Sequence, residues 1–256
     1  MKLATWNLNS IRAREERLHR WLGANKPDVL CLQELKVTDD AFPYLPLQAL
    51  GYHAAVHGQR TYNGVAVLSR VRPSAVERGF GDGGDETHSR LVAARVGGIH
   101  VVSAYVPNGQ EVGSDKWAYK MEWMGRLRAW LDRRFAKSDF VALCGDFNVA
   151  PEARDVHDPA EWEPSVLFHP EARTALENVR AWGLVDAFRL HNQAPGFYTW
   201  WDYQRLGFPK GRGLRIDHVL LSEPLAARCT AARIDREERK GKLPSDHAPV
   251  VVELEV

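Results

Sequence analysis

The chain is punctuated by short apolar runs, several of which end in a carboxylate or an amide. They cover residues 2–6, 28–33, 64–68, 91–96, 100–105, 140–144, 214–221 and 248–256. Each is bounded by turn or charged residues, as strands are. Between them the apolar period lengthens to that of helices. Ile11, Leu18, Trp21 and Leu22 recur at helical intervals, with Gly23 and Pro27 as stop signals. Trp117, Met121, Met124, Leu127, Leu131 and Phe135 form a second stripe with Arg and Lys on the other side. Residues 171–182, stopped by Gly183, read as a third helix. Strands interspersed with helices predict a mixed α/β domain with more than one sheet. The stretch 151–170, rich in Pro, Asp and Glu, reads as a long surface loop.

The chain has 256 residues, 45% of them apolar, which suffices for one sizeable core. One domain spanning 1–256 is therefore expected, since no repeat or Gly/Ser linker divides the chain. Lys and Arg number 34 against 33 Asp and Glu, a net charge of +1. That excludes nucleic-acid binding by bulk positive charge, though not by a local basic face. Cys31, Cys144 and Cys229 cannot all pair with one another and show no zinc spacing. With no signal-like apolar stretch and no membrane-spanning run, a cytoplasmic protein without membrane contact is expected.

The polar residues at the run ends carry the chemistry. Asn7 follows LATW, Glu34 follows VLCLQ, and Asp146 and Asn148 follow VALCG. Asp217 lies within LRIDHVLL, while Asp246 and His247 precede APVVVELEV. One such residue is an ordinary strand terminator. Five such segments predict a pocket where strand ends meet. Carboxylates and amides without cysteine are hard ligands, suited to Mg²⁺ or Mn²⁺. Such a site polarises a phosphodiester and activates water. A histidine held cationic by an aspartate adds a donor for phosphate oxygen.

WNLNS, LCLQELK, YVPNG, GDFNVAP, LRIDHVLL and PSDHAPV occur in this order along the chain. Together they resemble the exonuclease III class of the endonuclease/exonuclease/phosphatase (DNase I-like) superfamily. NGVAVLSR, KWAYKMEW, FHPEAR and YTWWDY place the resemblance in that class rather than among lipid or inositol phosphate relatives. It implies a four-layer α/β sandwich, two mixed sheets face to face with helices outside. It also implies a Mg²⁺-dependent DNA repair nuclease, with Mn²⁺ able to substitute. The implied substrate is double-stranded DNA that is abasic or 3′-blocked. The implied reactions are incision 5′ to the abasic site, 3′-end cleaning and 3′–5′ digestion, and a monomer is expected.

The resemblance assigns Glu34 as main metal ligand, with Asn7, Asp146, Asn148, Asp246 and His247 around the metal positions. Asp146 would orient or deprotonate the attacking water, and Asn148 would position it. Tyr105 would contact the phosphate or assist the leaving oxygen. Asp217 would orient His247, which would bind the scissile phosphate. Arg12, Lys36, Tyr62, Arg90 and Asn108 would contact DNA. Trp200, Leu214 and Ile216 would form a small apolar pocket for the sugar extruded without its base. Arg205, Lys210, Arg212 and Arg215, in a stretch without acids, would track phosphates. Leu35, Ser10 and His218 depart from the commonest family pattern.

Blander readings stand beside these. Asn7 could cap the turn before the first helix. Tyr105 could be a buried strand tyrosine, and the basic stretch a solvated loop. Of Trp200 and Trp201, one is expected in the core and the other in the pocket, Trp200 by position. The competing functions are a general nuclease or other phosphoesterase of the superfamily, and a DNA-binding protein without catalysis.

Overall fold

The computed structural model describes residues 1–256, except the side chain of Arg205. In chain order the strands are β1 (Lys2–Asn7), β2 (Val29–Gln33), β3 (His53–His57), β4 (Val65–Ser69), β5 (Ser74–Arg78), β6 (Leu91–Val96) and β7 (Ile99–Tyr105). They continue with β8 (Val141–Asp146), β9 (Leu184–Asp186), β10 (Trp200–Trp201), β11 (Gly213–Leu214), β12 (Asp217–Ser222), β13 (Cys229–Ile234) and β14 (Val250–Leu254). The helices are α1 (Glu15–Asn25), α2 (Tyr44–Ala49), α3 (Asp115–Arg134), α4 (Pro159–Trp162), α5 (Pro170–Arg180), α6 (Ala187–His191) and α7 (Glu223–Ala226).

Two six-stranded mixed sheets carry the fold, ordered β13-β14-β1-β2-β4-β3 and β5-β6-β7-β8-β12-β9. Strands β1 and β2 run parallel, as do β7 and β8; the other pairs are antiparallel. Alternation along each strand sets the layers. Leu3, Val29, Cys31 and Val67 meet Val101, Ala142, Cys144 and Val219 in the core between the sheets. The alternate residues Ala4, Trp6, Leu30 and Leu32 pack on Leu18, Trp21 and Leu22 of α1. On the other side Val102, Val141 and Leu143 pack on Met124, Leu127 and Leu131 of α3 and Leu176 of α5. This is the expected α/β sandwich of two facing sheets with outer helices. Among the described residues, no helix is long and apolar enough to cross a membrane.

Three local expectations change. Gly23 does not stop α1, which continues to Asn25; Lys26 ends it in the left-handed region (φ 48°), its N–H returning to Leu22 O at 2.9 Å. The run 214–221 is broken between β11 and β12, because Thr199 Oγ1 accepts the N–H groups of Ile216 and Asp217 at 3.0 and 3.1 Å. Residues 151–170 are not simply a surface loop. They contain α4, and Asp155 among them is fully buried.

Candidate active site and metal centre

Strand direction explains why the polar residues meet. Asn7 ends β1, and the parallel β2 ends one residue before Glu34. The antiparallel β14 begins just after Asp246 and His247, its Val250 opposite Thr5. In the other sheet Tyr105 ends β7 opposite Asp146, which ends β8, and Asp146 lies opposite Asp217, which opens the antiparallel β12. The ends of both sheets thus converge. Gly145 permits the approach of β8 to β7, since a Cβ there would sit 1.9 Å from Ala104 O. Glu34, Lys36 and Asn148 have left-handed backbones (φ 52°, 57° and 51°). Ser10 is left-handed too, at φ 94°, a conformation that suits glycine better. Sparsely populated backbone geometry of this kind costs energy and collects at functional sites.

Side-chain geometry ties the cluster together. His247 Nδ1 lies 2.8 Å from Asp217 Oδ2, and His247 Nε2 lies 3.7 Å from Asp146 Oδ2. Asn7 Nδ2 donates to Glu34 Oε1 and to Asp146 Oδ2, both at 2.9 Å. Its Oδ1 accepts the Asn9 N–H at 2.9 Å. Asn7 therefore bridges the two carboxylates through its amide nitrogen, while its oxygen holds the Asn9 N–H of the turn that follows β1. Lys36 Nζ sits 2.9 Å from Glu34 Oε2, so this expected DNA contact first engages the carboxylate. Asn148 N–H donates to Asp146 Oδ1 at 2.9 Å, and Asn148 Oδ1 accepts from Asn108 Nδ2 at 3.2 Å. Asp246 accepts from Asn9 Nδ2 and Trp200 Nε1, each at 3.0 Å.

Burial raises the Asp146 carboxyl to about 7; His247 opposes the shift while Asp217 and Glu34 add to it. Burial would lower His247, but the Asp217, Asp146 and Asp246 carboxylates outweigh it and raise the imidazole to about 10. Burial, then the charges of Glu34 and Asp146, push the Tyr105 hydroxyl above its ordinary value. Burial also opposes ionisation of Asp246, yet His247 and the donors Trp200 and Asn9 hold it below the usual range.

The donor set fits a divalent cation. Glu34, Asp146 and His247 each offer a ligand atom, all within 4.8 Å of one another. A buried carboxyl that is hard to ionise beside a second carboxylate is a place where added positive charge is stabilising. Oxygen donors without cysteine favour a hard ion. Neutral, His247 is a ligand through Nε2; cationic, it is a donor with no lone pair to offer. Its three aspartate neighbours favour the cation. Asp246 lies outside this closest group.

Beside the pocket runs a groove of about 420 Å³ lined by Glu34, Tyr62, Arg90, Tyr105, Asn108 and Lys116 among others. Arg90 stacks on the Tyr105 ring at 4.8 Å. Arg12, Lys210 and Arg212 are exposed, whereas Arg205 lies outside the described residues. Arg215, expected to track phosphates with Lys210 and Arg212, is internal instead. It is fully buried, with Nε 2.7 Å from Asp155 Oδ1 and Nη2 2.8 Å from Asp186 Oδ2, so it cannot track phosphates. Its Nη1 meets His218 Nδ1 at 3.0 Å, and His218 Nε2 meets Val149 O at 2.9 Å. Arginine only donates and a carbonyl only accepts, so His218 is neutral with its proton on Nε2. Burial, then Arg215, lower it to about 4. Trp201 is core and Trp200 half-buried, facing Leu214 across the β10–β11 pair. Leu214 and Ile216 are buried in the cluster against which Trp200 packs, so of the three only Trp200 presents surface.

Two further residues, Asn9 and Ser245, complete the cluster. Asn9 links Lys36 to Asp246, and its place in WNLNS was the available signal. Ser245 Oγ donates to Asn7 O at 2.7 Å and accepts His247 N–H at 3.1 Å, joining β1 to the catalytic-type histidine.

The sequence profile of the endonuclease/exonuclease/phosphatase family matches residues 4–247. The chain belongs to this family. It is a phosphodiester hydrolase of the family's exonuclease III and AP endonuclease branch. It is 35% identical to exodeoxyribonuclease III of Haemophilus influenzae, over 99% of this chain and 100% of that one. It is 32% identical to a DNA repair nuclease of Danio rerio, over 100% of this chain and 83% of that one. Among solved structures, an AP endonuclease from Archaeoglobus fulgidus superposes with a TM-score of 0.97 at 39% identity, covering 100% of both chains. A 3′ phosphatase from Neisseria bound to product DNA hairpin gives 0.96, also at 39% identity over 100% of both.

Proposed function

We propose that this DNA repair nuclease cleaves duplex DNA on the 5′ side of abasic sites, cleans blocked 3′ ends and digests from 3′ ends, with Mg²⁺ as cofactor. One observation carries the reading: the Asp217–His247 pair faces Asp146, whose carboxylate oxygen is bridged by Asn7 to Glu34.

Glu34 and Asp146 would hold the ion, with Mn²⁺ able to substitute. The bound ion would supply Lewis acidity to the scissile phosphate. Asp217 fixes the His247 ring through Nδ1 and holds its charge, leaving the Nε2 side for a phosphate oxygen. Asp146 accepts the proton of the attacking water, and Asn148, fixed through its own N–H to Asp146, orients that water. Tyr105, whose burial keeps its hydroxyl protonated, donates toward the leaving oxygen or the phosphate. Tyr62, Arg90 and Asn108 line the adjoining groove, and Arg12, Lys36, Lys210 and Arg212 supply positive charge for the backbone of a duplex. Trp200 offers an apolar face beside the catalytic segment for a sugar without its base. The protein is proposed to act as a single-domain monomer.

The test is a duplex carrying one tetrahydrofuran residue, incubated with Mg²⁺ beside an undamaged duplex and an inositol phosphate. Incision 5′ to the analogue, well above cutting elsewhere, is expected. No incision there would overturn the reading.

A further inference from the structure

Lys120 lies on the inner face of α3 and is fully buried. Among the described residues it forms no ion pair. Its Nζ donates instead to three backbone carbonyls: Asn108 O at 3.1 Å, Asn148 O at 2.8 Å and Val166 O at 2.7 Å. Burial lowers the Lys120 ammonium to about 7, against the pull of Asp146; in that protonated form it has three donors and no acceptor, and the three carbonyls satisfy it completely. They belong to separate segments, 12, 28 and 46 residues away from Lys120. Two of these segments border the catalytic pocket, and the third is hydrogen-bonded to one of them. Asn108 lines the groove, Asn148 follows Asp146, and Val166 precedes Leu167, whose carbonyl accepts Ala150 N–H at 2.7 Å.

Side chains join the same segments. Asn108 Nδ2 reaches Asn148 Oδ1 at 3.2 Å, and Asn148 Nδ2 reaches Val106 O at 3.0 Å. Gly109 makes room for the lysine stem: a Cβ there would meet Lys120 Cδ at 3.0 Å and Trp117 at 3.3 Å. Burying an ammonium without a carboxylate is costly, and an aliphatic side chain would fill the same space without that cost. What the aliphatic chain could not do is hold three carbonyls at one point.

We propose that Lys120 is a positioning residue, a three-way tie that locks the 106–109, 147–150 and 166–167 segments into one rim and so sets Asn148 and Asn108 against the scissile phosphate. The proposal rests on the nuclease reading above for its substrate, but not for its geometry. Arginine would not reproduce this arrangement, since its planar fork spreads five donors instead of converging three on one point.

The test compares Lys120→Met and Lys120→Gln with the wild type on the tetrahydrofuran duplex. The expected order of kcat is wild type, then Gln, then Met, with Met about 100-fold down and KM within about threefold, because small misplacement of reacting groups costs turnover more than binding. Wild-type kcat in both variants would overturn the proposal. So would a loss that follows the folded fraction and disappears on cooling, the mark of a merely structural role. Should neither variant fold, native-state hydrogen exchange on the wild type decides. The amides of Val106, Asn148 and Ala150 are expected to open together with one free energy; independent opening would refute the tie. Lack of incision by the wild type itself would count against the proposed function only, since the exchange measurement needs no substrate.

Discussion

Asp217 and His247 meet at 2.8 Å across 30 residues of sequence, and they do so between two different sheets. Asp217 opens β12 of one sheet; His247 lies just before β14 of the other. The sandwich is therefore what makes the pair, and the pair leads the three carboxylates that keep the imidazole charged.

Loss of that charge is expected to set the alkaline limit of activity. His247 is raised to about 10, so its cationic form persists below that pH and is lost above it. The ion pair's contribution to stability is likewise complete below the ordinary histidine value of 6.5 and disappears as pH rises through about 10. In Asp217→Asn the alkaline limb of kcat should move to lower pH and the maximum should drop by about 100-fold or more. A pH–rate profile with an unmoved limb would contradict this.

Asp146 sets the opposite limb. Its carboxyl is raised to about 7, so the carboxylate form falls away as pH drops through that value. A bound cation favours the carboxylate, so added Mg²⁺ should move the acid limb downward and metal binding should release protons. Calorimetry at pH 6.5 in two buffers of different ionisation enthalpy reads that release. The same shift makes the buried charge a burden above pH 3.8, fully so above about 7. Metal-free Asp146→Asn should accordingly melt higher than wild type at pH 8 while losing turnover, a trade seen where active-site strain is removed.

Glu34→Ala should raise the Mg²⁺ concentration needed for half-maximal incision by about 10-fold or more, with folding largely kept. The side chain is partly exposed and its nearest partners are Asn7 and Lys36, so little core packing is lost. An unchanged metal titration would remove Glu34 as a ligand.

The basic residues of 205–215 should separate into two kinds. Lys210→Ala and Arg212→Ala should each flatten the salt dependence of DNA binding by about one unit of slope, with stability kept. Arg215→Met leaves Asp155 and Asp186 buried with part of their charge uncompensated, and should cost about 3–5 kcal/mol of stability. Thermal melts and affinity at several salt concentrations distinguish the two.

Arg215 shows where reading residues in line fails. It shares its stretch with exposed Lys210 and Arg212, yet the chain turns between β11 and β12 and carries it inside to Asp155 and Asp186. Strand β5 shows another limit: it is mostly exposed, so no apolar pattern announced it. Strand β3, with alanines and flanking histidines, likewise lacked a strong signal. Lys120 falls at helical spacing from Trp117 and Met124, on the apolar face of α3, yet its carbonyl partners carry no signature in side-chain sequence.

By itself the sequence determined the alternation that builds two sheets and their outer helices, because a strand or helix buries whichever face its own period makes apolar. It also determined the kinds of atoms at the strand ends, and with them a preference for a hard cation. Tertiary structure alone decided which of those atoms touch. Direction and register of strands distant in sequence brought Asp217 to His247, turned the Asn7 amide into a bridge between carboxylates, and placed Lys120 beneath three loops. Such contacts depend on backbone paths through space, which no local pattern encodes.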